Sequence, residues 1–326
     1  MADQDSAAVD LDLLRASARQ FLAERGEKAS VKDLAAMDWT GLLVDEVMGG
    51  AGRRPVETCV VAEELGRAND RSAWFGTTMA AAALSSAPDE VREQLLPGLL
   101  AGTTAAGVAV VTDFADSARI IRGDGIDIVV LLGRNGIHLL RDLDPARLVL
   151  DGDLLDVTRT VWRIDLTEGP SALIGPPERA EELMAVARLL VSADSVGATS
   201  MTLERLTAYL RERVAFGAPI ASFQAIQHRL VELLVFEVKA RAVVLRAARA
   251  IAAADARAPV LTAAAAHAFV AAKAAAAVDE CMQLSGGIGF TWEYPLHHEL
   301  RRVFTNGQLM GTARSSRALL AEVCGW

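Results

Sequence analysis

Few residues in this 326-residue chain could carry chemistry. The densest run of them is 283–312, QLSGGIGFTWEYPLHHELRRVFTNGQLMGT, which holds a Gly-rich turn, Glu293 and the adjacent His297 and His298. A carboxylate or imidazole there could take a proton from carbon, provided it stood within hydrogen-bond reach of that carbon. Adjacent histidines after a turn are more often solvated or packed than catalytic. Glu293 belongs to a turn, and Asp194 sits in the apolar run MAVARLLVSADSVG, so both are weak bases by position. Arg213, read alone, is half of a surface ion pair with Glu212 or Glu204. Cys59, Cys281 and Cys324 lack metal-ligand spacing, and an odd count sets no disulfide framework, so buried or inert thiols in a reducing cytoplasm are expected.

Three stretches of different texture must position these groups. From about Asp10 to Leu100 the periodicity is helical, with Leu11, Leu13, Leu14, Ala18 and Phe21 on one stripe, broken by the loop DEVMGGAGRRP. From about Ala106 to Pro177 the chain turns to short β-branched runs, GVAVV, RIIRG, IDIVVLLG, IHLLRD and RTVWRIDL, bounded by Gly, Asp or Asn. From Glu178 onward it is helical again, with Leu203, Leu206, Tyr209 and Leu210 on one face and Leu230, Leu233, Leu234 and Val238 on another. The expected fold class is therefore α+β, mainly α, divided at 1–104, 105–177 and 178–326.

Composition narrows the classes further. Half the residues are hydrophobic and only 5% are aromatic, which with Ala-rich runs favours tightly packed helices. A net charge of −9 argues against a nucleic-acid partner, because neutralising phosphates needs a basic face. An acidic ligand held by a local Arg cluster stays compatible. The start, MADQDSAAVDLD, has neither the basic nor the apolar region of a signal peptide, and no apolar run of membrane-spanning length is read, so a cytoplasmic location is expected.

The chain resembles the acyl-CoA dehydrogenase family. WTGLLVDEVMGGAG is similar to the family's Gly-Leu-Leu-x-x-Glu-x-x-Gly-Gly-x-Gly turn, and VVAEELGRA to the helix after it. YLRERVAFGAPIASFQAIQHRL is similar to Arg-x-Gln-Phe-Gly-x-Pro-Ile-x-x-Phe-Gln, and QLSGGIGF with the later Glu-Tyr-Pro to the closing signature. Either Gly motif alone would be weak; the motifs are specific because they occur together, in order. The resemblance implies an amino-terminal helical domain, a small β domain and a carboxy-terminal four-helix bundle, with FAD at a subunit interface. It places Arg213 at the pyrophosphate of a cofactor held mainly by a neighbouring subunit, where a permanently charged fork suits phosphate oxygens. It also places Phe216, Gln224, Gln283, Gly286 and Gly287 along the adenosine half. The family's Gln two residues after the Arg is Ala215 here.

The family's reactive side is where the pattern fails. The catalytic Glu of Glu-Gly-Thr is Met310, and the alternative glutamate, before Arg188, is Ala187. A thioether cannot accept a proton. Thr312 is kept, for a cofactor contact or a helix cap. The Thr-Glu-Pro-Gly segment reads VVTDFADSA, the Trp-Ile-Ser/Thr segment is missing, and the β region is tens of residues short. Trp162 lies too late to replace it and is expected to be a core or domain-interface aromatic. The resemblance therefore points to the non-catalytic subunit of the actinobacterial α2β2 acyl-CoA dehydrogenases of steroid catabolism, which hold two FAD in place of four. It implies a catalytic partner subunit that binds most of the acyl-CoA, and an electron-transfer flavoprotein as acceptor. A homomeric dehydrogenase with an unusual base and a flavin-free scaffold are the alternatives.

Overall fold

A computed structural model describes residues 10–325 apart from 27–28, 112–115, 123–124, 142, 145–146, 151–154, 168–170 and 254–257. Its fold is that of a mainly helical α+β protein. The first helices are α1 (Leu11–Arg25), α2 (Val31–Ala35), α3 (Pro55–Arg67), α4 (Trp74–Leu84) and α5 (Asp89–Leu100). Asp10 caps α1 by accepting from the amides of Asp12 and Leu13, and Ser30 closes α2 in a capping box with Asp33. On α1, Ala18 and Leu22 are buried, whereas Leu13, assigned to the apolar stripe, is exposed.

Seven strands follow: β1 (Ala106–Val110), β2 (Ser117–Arg122), β3 (Ile128–Gly133), β4 (Gly136–Leu140), β5 (Leu148–Leu150), β6 (Thr160–Asp165) and β7 (Ala172–Gly175). They form one sheet in the order β5-β6-β2-β1-β3-β4-β7, antiparallel except for the β1–β3 pair. The five β-branched runs became strands; the two missed, β5 and β7, are the short edge strands, which bury too little to impose a pattern. Alternation splits the sheet. Val108, Val130, Leu132, Ile137 and Leu139 join the main core, while Ala109, Ile120, Val129, Leu131 and Ile164 form a separate small cluster on the other face. Trp162 is half-buried on β6, opposite Ile120 and Leu150.

The carboxy-terminal helices are α6 (Pro177–Glu212), α7 (Gln224–Ala252), α8 (Ala258–Ser285), α9 (Leu296–Leu309) and α10 (Ala313–Cys324), with a two-strand hairpin, β8 (Val214–Ala215) and β9 (Ala218–Pro219), between α6 and α7. α6 through α9 pack on one another and α10 lies against α8. By length and composition two helical stretches, Pro177–Glu212 and Pro259–Phe290, could cross a membrane, which corrects the sequence reading; 78% of the first window and 44% of the second are buried inside the protein. One core runs from Leu22 and Trp39 through Val130 to Leu190 and Val303, so the helices and the sheet share an interior.

Two glycines set how closely the amino-terminal helices approach the bundle. A Cβ on Gly197 of α6 would stand 1.7 Å from the Glu63 carbonyl oxygen, and one on Gly66 of α3 would stand 2.1 Å from that of Asp194. The two backbones touch where a side chain cannot fit. Gly197→Ala should therefore force α3 and α6 apart and cost about 1–3 kcal/mol, read as a lowered midpoint in urea. An unchanged midpoint would mean that the contact is looser than this.

α7 also departs from expectation. Leu233 is buried and Leu230 half-buried, but Leu234 and Val238 face solvent with Val231 and Val235. Helical periodicity finds apolar stripes without saying which one meets the chain's own core.

Candidate functional site

The residues that the resemblance assigns to the adenosine half gather at one end of the bundle. There Leu206, Leu210, Leu233, Cys281, Met282 and Leu296 form a second core cluster, against which Ile220, Leu284 and Tyr294 pack. Tyr209, one turn before Arg213, has its ring 5.8 Å from that of Tyr294, which ties the end of α6 to the Glu-Tyr-Pro turn. Arg213 ends α6, its amide donating to the Tyr209 carbonyl at 2.9 Å. No carboxylate among the described residues pairs with its guanidinium. Glu204, one of its expected partners, is bonded to Arg67 instead.

Phe216 and Gly217 form the two-residue loop of the β8–β9 hairpin, with φ of 51° and 79°. Positive φ at both positions matches the twist of a tight hairpin, but Phe is a costly occupant of that region. The residue is 98% exposed, its ring edge-on to that of Phe223 with the centroids 6.4 Å apart. Gln224 opens α7 and is exposed. Gln283 is exposed in the last turn of α8, and a 3-10 turn, Gly286–Phe290, follows. A Cβ at Gly286 or Gly287 would meet nothing within 4 Å, whereas one at Gly289 would strike the Met282 carbonyl oxygen at 2.4 Å. Gly289 is thus explained by the chain's own packing. Gly287 is not: its space lies open to something outside the chain.

The two positions at which the resemblance looks for the base are closed. Met310 is 2% exposed and Ala187 0%, and both belong to the main hydrophobic core. Arg188 Nε donates to the Met310 carbonyl at 3.1 Å, fixing the backbone just after α9. Nearby, His267 is buried with Nδ1 2.9 Å from Ser316 Oγ, and burial, then Arg188, push its pKa down to about 4, so it is neutral at pH 7. Thr312 caps α10: its Oγ1 accepts from the Ser315 amide, and its own amide donates to Ser315 Oγ.

The weaker base candidates are spent elsewhere. Asp194 accepts from Arg302 Nε at 2.9 Å and Nη2 at 2.6 Å, from Arg159 Nη2 at 2.6 Å and from Asn306 Nδ2 at 2.7 Å. Burial works to raise its pKa, but the two guanidiniums and the Arg302 and Asn306 hydrogen bonds outweigh this and hold it at about 2. Arg302 also donates to Thr158 Oγ1 and the Asp70 carbonyl, so one buried network joins α6, α9, the turn after α3 and the approach to β6. Beside it, buried Glu299 accepts from Arg205 and from Asn69, and burial raises its pKa. His297 and His298 stand in the first turn of α9 while Met310 follows its last, about 20 Å away along the helix axis. Glu293 is exposed. The Thr112–Ala115 stretch, where the resemblance looks for flavin-ring contacts, lies outside the described residues.

Sequence reading missed the Asp194–Arg302–Arg159 network because its members are far apart in the chain and no local pattern announces them. It also missed a recess of ≈ 770 Å³ between α1, α6 and α7, lined by Arg15, Arg19, Arg241 and Glu237 against Leu230 and Leu234. Neither Met310 nor Ala187 lines it.

A mainly helical chain with this sheet between two helical units has the fold class of the acyl-CoA dehydrogenases. The acyl-CoA dehydrogenase N-terminal domain matches residues 10–103 and the acyl-CoA dehydrogenase C-terminal domain residues 178–324. The chain is a member of the acyl-CoA dehydrogenase family. It is 30% identical to "Acyl-CoA dehydrogenase IpdE2" of Mycobacterium tuberculosis over 95% of its own length and 96% of that protein's. Among solved structures it superposes on the Tcur3481-Tcur3483 steroid ACAD with a TM-score of 0.82 at 23% identity, covering 97% of this chain and 98% of that one. The ChsE4-ChsE5 complex of Mycobacterium tuberculosis gives 0.82 at 18%, with 98% of each chain covered.

Proposed function

We propose that this chain is the base-less subunit of a heteromeric FAD-dependent acyl-CoA dehydrogenase. One contrast carries the reading: the base position is filled by core side chains, while Arg213, Phe216, Gln224, Gln283 and Gly287 stand open and unspent on the chain's own rim. A lone enzyme would need the first; a chain that completes a neighbour's cofactor site needs only the second. Two solved relatives in fold, Tcur3481-Tcur3483 and ChsE4-ChsE5, are two-component assemblies by name, which supports the same arrangement.

On this reading Arg213 forks onto the cofactor's pyrophosphate, the Phe216 ring lies along the adenosine, Gln224 and Gln283 hydrogen-bond it, and Gly286 and Gly287 let it approach the backbone. The residues present fit that half of FAD. Bound FAD supplies the hydride acceptor for making a 2,3-enoyl-CoA, with the proton taken by a carboxylate of the partner. A steroid-derived acyl group and an electron-transfer flavoprotein as acceptor belong to the same proposal, as does a cytoplasmic setting.

Co-expression with the acyl-CoA dehydrogenase chain encoded nearest to this one, followed by native mass and FAD count, tests it. Two FAD per mixed tetramer, with little or none on this chain alone, is the expected result. A stable homo-oligomer with one FAD per subunit would overturn it in favour of an unusual base, and a flavin-free complex would favour a scaffold. Within a mixed complex, Arg213→Ala removes charge-assisted hydrogen bonds of about 1.5–3 kcal/mol each, so FAD affinity should fall at least about tenfold while the native mass is kept. Unchanged FAD content in that variant would argue that the rim is a relic.

A further inference from the structure

The recess between α1, α6 and α7 serves neither the base positions nor the adenosine rim, for none of Arg213, Phe216, Gln224, Gln283 and Gly287 lines it. On α6 it runs from Ser200 to Arg211, about 16 Å along the helix axis. Its walls are fixed by ion pairs. Arg15 pairs with Glu63 at 3.0 Å and Glu64 at 3.4 Å, Arg19 with Glu64 at 2.9 Å, and Arg241 with Glu63 at 2.8 Å, both carboxylates being buried on α3. α1 and α7 are thereby anchored on the same two residues, and a ligand entering between them has little ordering to do.

Two kinds of surface face this gap without a partner. The first is apolar. Leu203 and Leu230 line it, and Val231 and Leu234 of α7 stay 57% and 49% exposed there. The second is one positive charge. Of the seven charged side chains that line the recess, six are paired within the chain: the three arginines above, Glu237 with Arg241, Glu204 with Arg67, and Asp12 with Arg15 at 3.6 Å. Arg211 has neither an ion pair nor a hydrogen bond from its side chain among the described residues. A cavity of this size, with apolar walls and few polar groups left to fix orientation, is the usual form of a small-molecule site.

We propose that the recess binds an amphipathic monocarboxylate, its carboxylate forked onto Arg211 and its apolar body laid along Leu230, Leu203 and Leu234 toward Ser200. A guanidinium matches two carboxylate oxygens in geometry as well as in charge. A neutral molecule of the same shape would leave Arg211 unmatched, and an amine would set a like charge beside it. A thioester carries no charge where the recess requires one, so the ligand is a free acid. The site belongs to the chain alone and is independent of whether the chain completes a neighbour's cofactor site.

Isothermal titration of the full chain with decanoate, decylamine and acetate is the test. Decanoate is expected to saturate one site per chain, while decylamine, which reverses the charge, and acetate, which lacks the apolar body, each bind at least about tenfold more weakly. Arg211→Gln and Leu234→Glu should each weaken decanoate at least about tenfold, and Arg211→Lys, which keeps the charge and loses the fork, should fall between Gln and wild type. Arg211 and Leu234 are exposed, so the urea midpoint should hold in these variants and loss of binding then reports the site and not the fold. No saturable binding of decanoate at millimolar concentration, equal binding of decylamine, or full affinity in Arg211→Gln or Leu234→Glu would overturn the proposal.

Discussion

Asp194→Ala is expected to cost about 3–5 kcal/mol, because it leaves the guanidiniums of Arg159 and Arg302 buried without their shared carboxylate. Asp194→Asn keeps the shape and loses the charge, and should fall between wild type and Ala. The triple variant D194L/R159M/R302M replaces the carboxylate and both of its guanidiniums with apolar bulk and should recover part of the loss, since removing all three avoids an uncompensated buried charge. The same pair sets a pH signature. With a folded pKa of about 2 against about 3.9 unfolded, the contribution of Asp194 is complete above pH ~4 and is lost as pH falls toward ~2, amounting to about 2–3 kcal/mol. Urea midpoints followed from pH 6 to pH 2 for wild type and D194N measure it. Parallel curves would show that Asp194 is not the group responsible.

Met310→Glu puts a carboxylate where the resemblance looks for the base, and on the half-site reading it should not create an active enzyme. The side chain points into a core shared with Ala187, Leu190 and Val303, so a carboxylate there loses its hydration with no base's work to do, at a cost of about 3 kcal/mol or more. Met310→Leu, nearly equal in volume, should cost under about 1.5 kcal/mol. The expected result is a less stable chain that oxidises no acyl-CoA by itself. Gain of acyl-CoA oxidation with a bound flavin spectrum would mean that the position still opens onto a working site, and the half-site reading would be lost with it.

What was legible in the sequence followed from local physics. Helical period, β-branched runs and Gly or Pro punctuation marked α1, α3, α5 to α8 and five of the seven strands, because each is written in consecutive residues. That Met310 and Ala187 carry no carboxylate was equally plain, since it follows from their identity alone. The edge strands β5 and β7 were not visible, being too short to bury a periodic face.

The tertiary structure decided what depends on which distant groups meet. Asp194 could be weighed as a base until Arg302 and Arg159, far away in the chain, were found on both its oxygens. Leu234 and Val238 were core by period and surface in fact, because a stripe does not name its partner. Gly287 and Gly289 look alike in the sequence, yet only the second is required by the chain's own carbonyls. By itself the sequence determined the elements and the family, both properties of residue type and short-range order. Only the folded chain could show that Met310 and Ala187 are packed into the core while Arg213, Phe216 and Gln224 stand exposed, because burial and pairing are properties of residues brought together across the whole molecule.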